Sequence, residues 1–233
     1  MKKSFKKIKL AGALATLGFL STMGTAQAAI FEIDFNSLGA FSGTAPSSPS
    51  SATIFATAIF DDHGGSGSVT LTMNVLNNLP SGAYVNDWYF NVNSAPLGTN
   101  PFTFVSGVQA SAASDSNAFK ADGTGGNFDL QFTFSNGAGE LGQGHTSVYT
   151  ITGTGITANS FNSVSVSSPA NAGNGGYVSA LHLQGYDNGN SVWVSGDGIL
   201  RIPQTPADIP EPATLALLGL GLFGLAATRR RPN

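Results

Sequence analysis

The sequence contains no cysteine. This absence excludes disulfide cross-links, a thiolate nucleophile and any cysteine-ligated metal, so an exported domain of this sequence depends on its core alone. Residues 29–209 comprise about 180 residues, which is ample for one domain with a sizeable core.

Basic residues are almost missing from the middle of the chain. Between residues 29 and 209 only Lys120 and Arg201 are basic, against twelve acidic residues, so this segment carries about −10 although the whole chain carries −3. A domain of this charge repels nucleic-acid phosphates and anionic lipid headgroups. We therefore expect no nucleic-acid partner.

Catalytic motifs are missing as well. His63, His145 and His182 are far apart and share no motif, and neither G-x-S-x-G nor G-x-x-x-x-G-K-[ST] occurs. The only glutamates of the segment, Glu32 and Glu140, show no sign of the pairing across a cleft that glycoside hydrolysis needs. We predict that the protein is not an enzyme and that its histidines are structural or solvent-facing.

The first 28 residues are predicted to be a signal peptide. The basic segment MKKSFKKIK precedes the apolar segment LAGALATLGFLSTMG, and Ala26 and Ala28 supply the small residues of a cleavage site. We expect signal peptidase to cut after Ala28 and leave Ala29 as the mature amino terminus. The alternative is an uncleaved N-terminal anchor.

Apolar and polar residues alternate through much of residues 29–202. In SVTLTMNVL and NFDLQFTFSN every second residue is apolar, which is the pattern of half-buried β-strands. Further strand candidates are FEIDF, ATIFATAIF, DWYFNV, FTFVSGV, SVYTIT, FNSVSVS, YVSALHLQGY and SVWVSG. About ten short strands separated by Gly-, Asn- and Ser-rich turns predict an all-β protein, an antiparallel and jelly-roll-like β-sandwich.

The chain ends in three short segments of different character. RIPQTPADIPEP carries four prolines, and we interpret residues 203–209 as a stiff spacer. Residues 213–228 are uncharged and form a predicted transmembrane helix of about 24 Å, against a hydrocarbon core of about 30 Å. Arg229, Arg230 and Arg231 follow in the basic tail 229–233, and they would stay on the cytoplasmic side with the domain outside.

The order Pro210-Glu211-Pro212, apolar helix and arginine cluster resembles the PEP-CTERM sorting signal, over residues 210–233. The resemblance implies an exosortase as partner, an inner-membrane single-pass intermediate, and later sorting to the cell envelope, the surface or the medium. It also implies a host that makes exopolysaccharide. An ordinary single-pass anchor is the alternative. The β-rich body is only loosely similar to that of other PEP-CTERM proteins, and this likeness implies no activity.

Acidic turns are the candidate metal sites. Calcium prefers oxygen ligands, and glycine-rich turns can wrap it, but Asp, Asn and Gly also dominate ordinary β-turns. No stretch matches the twelve-residue EF-hand loop. The candidate calcium ligands are Asp61, Asp62, Asp122, Asp129, Asp187 and Asp197. No other cofactor is expected.

Of four aromatic residues considered for stacking on a sugar ring, Trp88, Tyr89, Tyr186 and Trp193, the last two are the candidates for glycan contact. Trp193 lies between Val192 and Val194 and therefore faces away from them on a strand, and Tyr186 ends the preceding strand candidate. Trp88 shares a face with Phe90 and is expected in the core. Two functions stay open: a non-enzymatic surface or matrix protein associated with exopolysaccharide and biofilm, which we favour, and a carbohydrate-binding or, less favoured, hydrolytic module held at the envelope.

Overall fold

The computed structural model describes residues 27–93, 97–122, 126–166 and 176–201, and these residues form two antiparallel β-sheets. The strands are β1 (Ile30–Phe35), β2 (Ala40–Gly43), β3 (Ala56–Asp61), β4 (Ser68–Val75), β5 (Tyr84–Phe90), β6 (Leu97–Gly107), β7 (Ala112–Lys120), β8 (Asn127–Thr133), β9 (Leu141–Gly142), β10 (Thr146–Gly153), β11 (Ser179–Tyr186), β12 (Asn190–Ser195) and β13 (Asp197–Arg201). Short 3-10 turns lie at Ser37–Gly39, Gly137–Gly139 and Ala158–Phe161.

The chain passes repeatedly from one sheet to the other. Sheet A has the order β13-β1-β3-β4-β10-β6, and sheet B has the order β2-β12-β11-β5-β8-β7 with β9 paired to β5. The first and last described strands are neighbours, since β1 pairs with β13 from Ile30 opposite Arg201 to Asp34 opposite Asp197. The C-terminal segment therefore leaves the sandwich from an edge strand.

The alternating sequences form strands with one buried face, as predicted. In β4, Val69, Leu71, Met73 and Val75 are buried while the residues between them are partly exposed. Strand β8 repeats the pattern with Leu130 and Phe132 buried in the main core, whereas Phe128 at its start is buried in a second, smaller cluster. The sequence periodicity is thus satisfied because each of these strands faces the other sheet on one side and solvent on the other.

Aromatic rings join the two sheets. Phe35 of sheet A meets Trp88 of sheet B with ring centroids 5.1 Å apart, and Phe60 meets Phe90 at 5.2 Å, both edge to face. Full burial of one such ring stabilises a fold by about 2–3 kcal/mol. The prediction that Trp88 belongs to the core is confirmed by its complete burial.

Some strand predictions were wrong. FNSVSVS is not a strand: Phe161 ends a 3-10 turn, and the residues after it make a single bridge, from Val166 to Asn127. Thr157 and Ser160 form a capping box that favours the helical turn over the extended chain. Conversely β2, β7, β9 and β13 were not predicted, because their sequences lack an apolar alternation.

Both sorting segments of the sequence lie largely outside the described residues. This applies to residues 1–26 of the predicted signal peptide and to residues 202–233, including the predicted spacer and transmembrane helix. Within the described ranges no helix is long and apolar enough to cross a membrane.

Candidate carbohydrate-contact site

The side of sheet B that faces away from the core carries a row of four residues from adjacent strands. Trp193 of β12 lies opposite His182 of β11, His182 lies opposite Asp87 of β5, and Asp87 lies opposite Thr133 of β8. These four residues are called the outer row. They share a face because side chains alternate along each strand and the core takes the neighbouring positions, such as Leu181.

The outer row begins with two parallel rings. The His182 and Trp193 rings stack at a centroid distance of 4.4 Å and an angle of 4° between their planes. Tyr89, on the next row of the same face, lies 5.2 Å from Trp193 with its ring tilted by 41°. Packing on two sides fixes the Trp193 indole, which stays partly exposed.

The row continues in a hydrogen-bonded network around Asp87, which is 9 % exposed. Its Oδ1 accepts hydrogen bonds from Gln131 Nε2 at 2.9 Å and from the Thr133 hydroxyl at 2.8 Å. Its Oδ2 accepts one from Asn86 Nδ2 at 2.6 Å and lies 3.8 Å from His182 Nδ1. The carboxylate is therefore held in place from both strands beside it.

This network sets the ionisation of the face. Burial alone would raise the pKa of Asp87, but the contacts with His182, Gln131, Thr133 and Asn86 together outweigh burial and hold the pKa below its ordinary value. Burial and then the charge of Asp87 raise the pKa of Tyr89 to about 12. Near neutral pH the face thus presents a carboxylate beside a neutral phenol.

A second hydrophobic cluster covers one end of this face. Tyr89, Ala121, Phe128 and Ala180 are buried there, with Phe41, Phe119, Tyr177 and Trp193 packed against them. Ser42 of β2 donates a hydrogen bond to Asp122, which follows β7, and these two strands are opposite edges of sheet B. The sheet therefore curls over its outer face, and Trp193 stands where the covered apolar end meets the polar network.

The arrangement suits binding by stacking and hydrogen bonding. The partly exposed portion of the Trp193 indole offers apolar area to a sugar ring, and the partly exposed Gln131 and Gln184 supply donors and acceptors on the same face. The contacts of His182 are the Trp193 ring, the Asp87 carboxylate and the Gln184 amide, whose Nε2 lies 3.2 Å from Nδ1. None of these three is a hydroxyl or thiol that an imidazole would activate.

Comparison with known families identifies the sorting signal at the C-terminal end of the chain. Residues 208–231 match the model of the PEP-CTERM protein-sorting motif. The chain carries a PEP-CTERM sorting motif. No curated protein and no solved structure matches the chain.

The PEP-CTERM match confirms the resemblance seen in the sequence, because it contains Pro210, Glu211, Pro212 and the three arginines 229–231. The motif indicates an exported protein that an exosortase recognises and that is sorted to the envelope or surface. The residues of the motif themselves lie outside the described part of the chain.

The two aromatic residues predicted to contact glycans have different environments. Trp193 lies on the outer face of sheet B, as its position between two valines predicted. Tyr186 offers no exposed ring: it is completely buried in the main core, and its hydroxyl donates a hydrogen bond to the Thr44 carbonyl. Burial and then the charge of Asp187 raise the pKa of Tyr186 to about 12.

Other members of the site were missed from the sequence. Asp87, Gln131 and Thr133 were not singled out, and His182 was expected only to be structural or solvent-facing. The available signal was the set of polar residues at the outward positions of strands whose inward positions are apolar.

The six aspartates predicted as calcium ligands are distributed over separate turns and strands. Across the described ranges, no three His, Cys, Asp or Glu side chains come together in a way that could hold a metal ion. Most of these aspartates accept hydrogen bonds from other groups of the domain. Asp129 accepts one from the Val92 backbone amide at 2.8 Å, and Asp187 accepts one from the Ser47 backbone amide at 3.1 Å. Asp61 accepts from the His63 amide, Asp122 from Ser42, and Asp62 from three amides described below, while Asp197 lies opposite Asp34.

Proposed function

We propose that this PEP-CTERM protein is a non-enzymatic cell-surface or matrix protein that associates with exopolysaccharide through the outer row of sheet B. The observation that carries the proposal is the Trp193–His182 stack next to the Asp87 network. Ligand-binding sites commonly combine aromatic side chains with a few fixed hydrogen-bonding groups, and this combination is what the outer row offers to a sugar. The proposal thus connects sorting to the cell surface with a face of sheet B that would contact polysaccharide there.

The charge of the domain narrows the class of polysaccharide. Residues 29–201 hold eleven acidic and two basic side chains, and the outer row contains the carboxylate of Asp87. Uronate- or sulfate-rich polymers would be repelled by this field. The proposed ligand is therefore a neutral or amine-bearing polysaccharide.

The route to that ligand combines both ends of the chain. In this proposal signal peptidase removes residues 1–28, and the helix at 213–228 holds the jelly-roll-like body outside the inner membrane. The exosortase then removes the tail, and the body moves to the surface or into the matrix. The support for this route is the PEP-CTERM match at residues 208–231.

The test is binding of the processed protein to exopolysaccharide purified from its host, measured by co-sedimentation and by affinity electrophoresis. Trp193→Ala should weaken binding about tenfold or more, because it removes the exposed apolar area of the indole and the ring that holds His182 in place, and about 1.4 kcal/mol corresponds to tenfold in affinity. Gln184→Ala should weaken binding less, and Trp193→Phe should keep part of it. Val105→Ala, at a residue 55 % exposed in sheet A, is the control.

Two results would contradict the proposal. Unchanged binding by a folded Trp193→Ala protein would remove the outer row from the contact. Release of reducing ends from the polysaccharide during incubation would show hydrolysis, and the alternative of a hydrolytic module would replace a non-enzymatic role. A thermal melt of each variant shows whether it is folded.

A further inference from the structure

Ala29, the predicted first residue of the mature protein, is hydrogen-bonded to a buried carboxylate. The Ala29 backbone nitrogen donates to Asp62 Oδ1 at 2.8 Å, and the Asp62 nitrogen donates to the Ala29 carbonyl at 3.3 Å. Ala29 directly precedes β1, and Asp62 directly follows β3, the neighbour of β1 in sheet A. The pairing of β1 with β3 thus places the Ala29 nitrogen beside the Asp62 carboxylate.

Asp62 joins three segments of the chain. Besides Ala29, its carboxylate accepts hydrogen bonds from the Gly64 nitrogen at 3.0 Å and from the Ala158 nitrogen at 3.2 Å. Ala158 begins the 3-10 turn whose last residue, Phe161, stacks on Phe60 in the core at 4.1 Å. The Asp62 side chain is 6 % exposed, and these three partners are neutral amides.

We propose that the Asp62 carboxylate binds the amino terminus that signal-peptide cleavage creates at Ala29. Hydrolysis of the Ala28–Ala29 peptide bond consumes one water molecule and leaves a carboxylate on Ala28 and an ammonium on Ala29. The nitrogen that donates to Asp62 as an amide then donates as a cation. The inference rests on cleavage after Ala28 and is independent of the proposed polysaccharide contact.

The exchange of amide for ammonium strengthens this contact. The amide already donates to a carboxylate, and an ammonium adds the attraction of opposite charges, so Asp62 gains a counter-charge that three amides do not supply. Among the described residues, the ionisable side chains next to this place include those of Asp61 and His63, which flank Asp62, and of Arg201, which lies opposite Ile30. Arg201 itself is paired with Glu32 at 2.7 Å. Removal of the signal peptide therefore supplies Asp62 with its counter-charge and completes the fold of the body.

The test uses the scarcity of amines in the mature chain. Lys120 is the only lysine after the signal peptide, so a Lys120→Arg protein has a single primary amine once it is processed. This protein is purified from its host, its amino terminus is identified by mass spectrometry, and the rate of acetylation of that amine is followed in native buffer and in urea. We expect the terminus at Ala29 and acetylation at least tenfold slower in native buffer.

Variants at two adjacent carboxylates complete the test. Asp62→Asn should bring the native rate close to the rate in urea, whereas Asp61→Asn, at the partly exposed neighbour, should leave the protection unchanged. A terminus at another residue, equal rates in native buffer and urea, or equal protection in Asp62→Asn and its parent would each overturn the proposal. The comparison of native buffer with urea needs no Asp62 variant, so it decides the matter even where Asp62→Asn does not fold.

Discussion

Asp87 is the residue on which the outer row depends. Its charge is retained on a mostly covered face because Gln131, Thr133 and Asn86 donate to it and His182 lies beside it. The cost of burial is offset by these contacts, which is why the pKa of this carboxyl is lowered and not raised. The same contacts fix the orientation of His182 and, through it, the Trp193 stack.

We therefore predict that Asp87→Asn destabilises the protein in a pH-dependent way. Since the folded-state pKa lies below the unfolded value, the stabilisation is present above about pH 3.9 and is lost as pH falls through the folded-state pKa. Urea unfolding at pH 7 should show a loss of about 1–3 kcal/mol. At pH 3 the difference from the parent protein should be smaller; an equal difference at both pH values would contradict the prediction.

Tyr186 shows where alternation along a sequence fails for a single residue. Leu181 and Leu183 face the core and His182 and Gln184 face outward, so strict alternation places Tyr186 outward as well. The pairing of β11 with β12 shifts between Gln184 and Tyr186, where Gly185 has a φ of +83°. This bulge turns Tyr186 into the core. Trp193 lies before the point where the pairing of β12 with β2 shifts, so the alternation along β12 still holds there. The outward direction of Trp193 was therefore predicted correctly.

At the scale of elements, β13 is the strand that could least be predicted, and it contains one tightly packed position. Its sequence DGILR has no alternation, yet it pairs with β1 along its whole length. A Cβ atom on Gly198 would lie 2.5 Å from Phe31 Cζ and 2.7 Å from Phe31 Cε2. Glycine is needed here because a buried ring of the neighbouring strand occupies the space of a side chain.

Gly198→Ala is accordingly predicted to destabilise the sandwich by about 1–3 kcal/mol through overpacking against Phe31. The measurement is urea unfolding followed by tryptophan fluorescence. Gly98→Ala in β6 is the matched control, since a Cβ there would meet nothing closer than 3.8 Å, and it should change stability much less. Equal losses for the two variants would mean that the effect is a general property of glycine in strands.

At the scale of the whole molecule, the two ends of the chain could be interpreted from sequence and the site could not. Sorting signals are contiguous, so Pro210-Glu211-Pro212 and the arginines that follow can be recognised from the sequence alone. The family match at residues 208–231 confirms this C-terminal signal. The outer row draws Asp87, Thr133, His182 and Trp193 from four strands. Only the strand order of sheet B brings them together, and a sequence without a homologous structure does not reveal that order.

The separation of body and tail leads to a prediction for the complete chain. Strands β1 to β13 end at Arg201, and the PEP-CTERM match begins at residue 208, so changes in the motif should affect sorting and leave the sandwich folded. Replacement of Pro210, Glu211 and Pro212 by alanine should leave the tail attached and the protein in the inner membrane. Pro206→Ala, outside the match, is the control and should be processed normally.

The measurement is mass spectrometry of the protein from envelope and medium fractions, in the host with and without its exosortase gene. We expect loss of the segment after the motif only for the parent and the Pro206→Ala protein, and only where the gene is present. Processing that depends on both the motif and the gene would place the acidic body at the surface or beyond, where a polysaccharide contact is meaningful. An intact tail in both strains would instead make the chain a single-pass anchored protein, and the ligand of the outer row would then have to be sought in the periplasm.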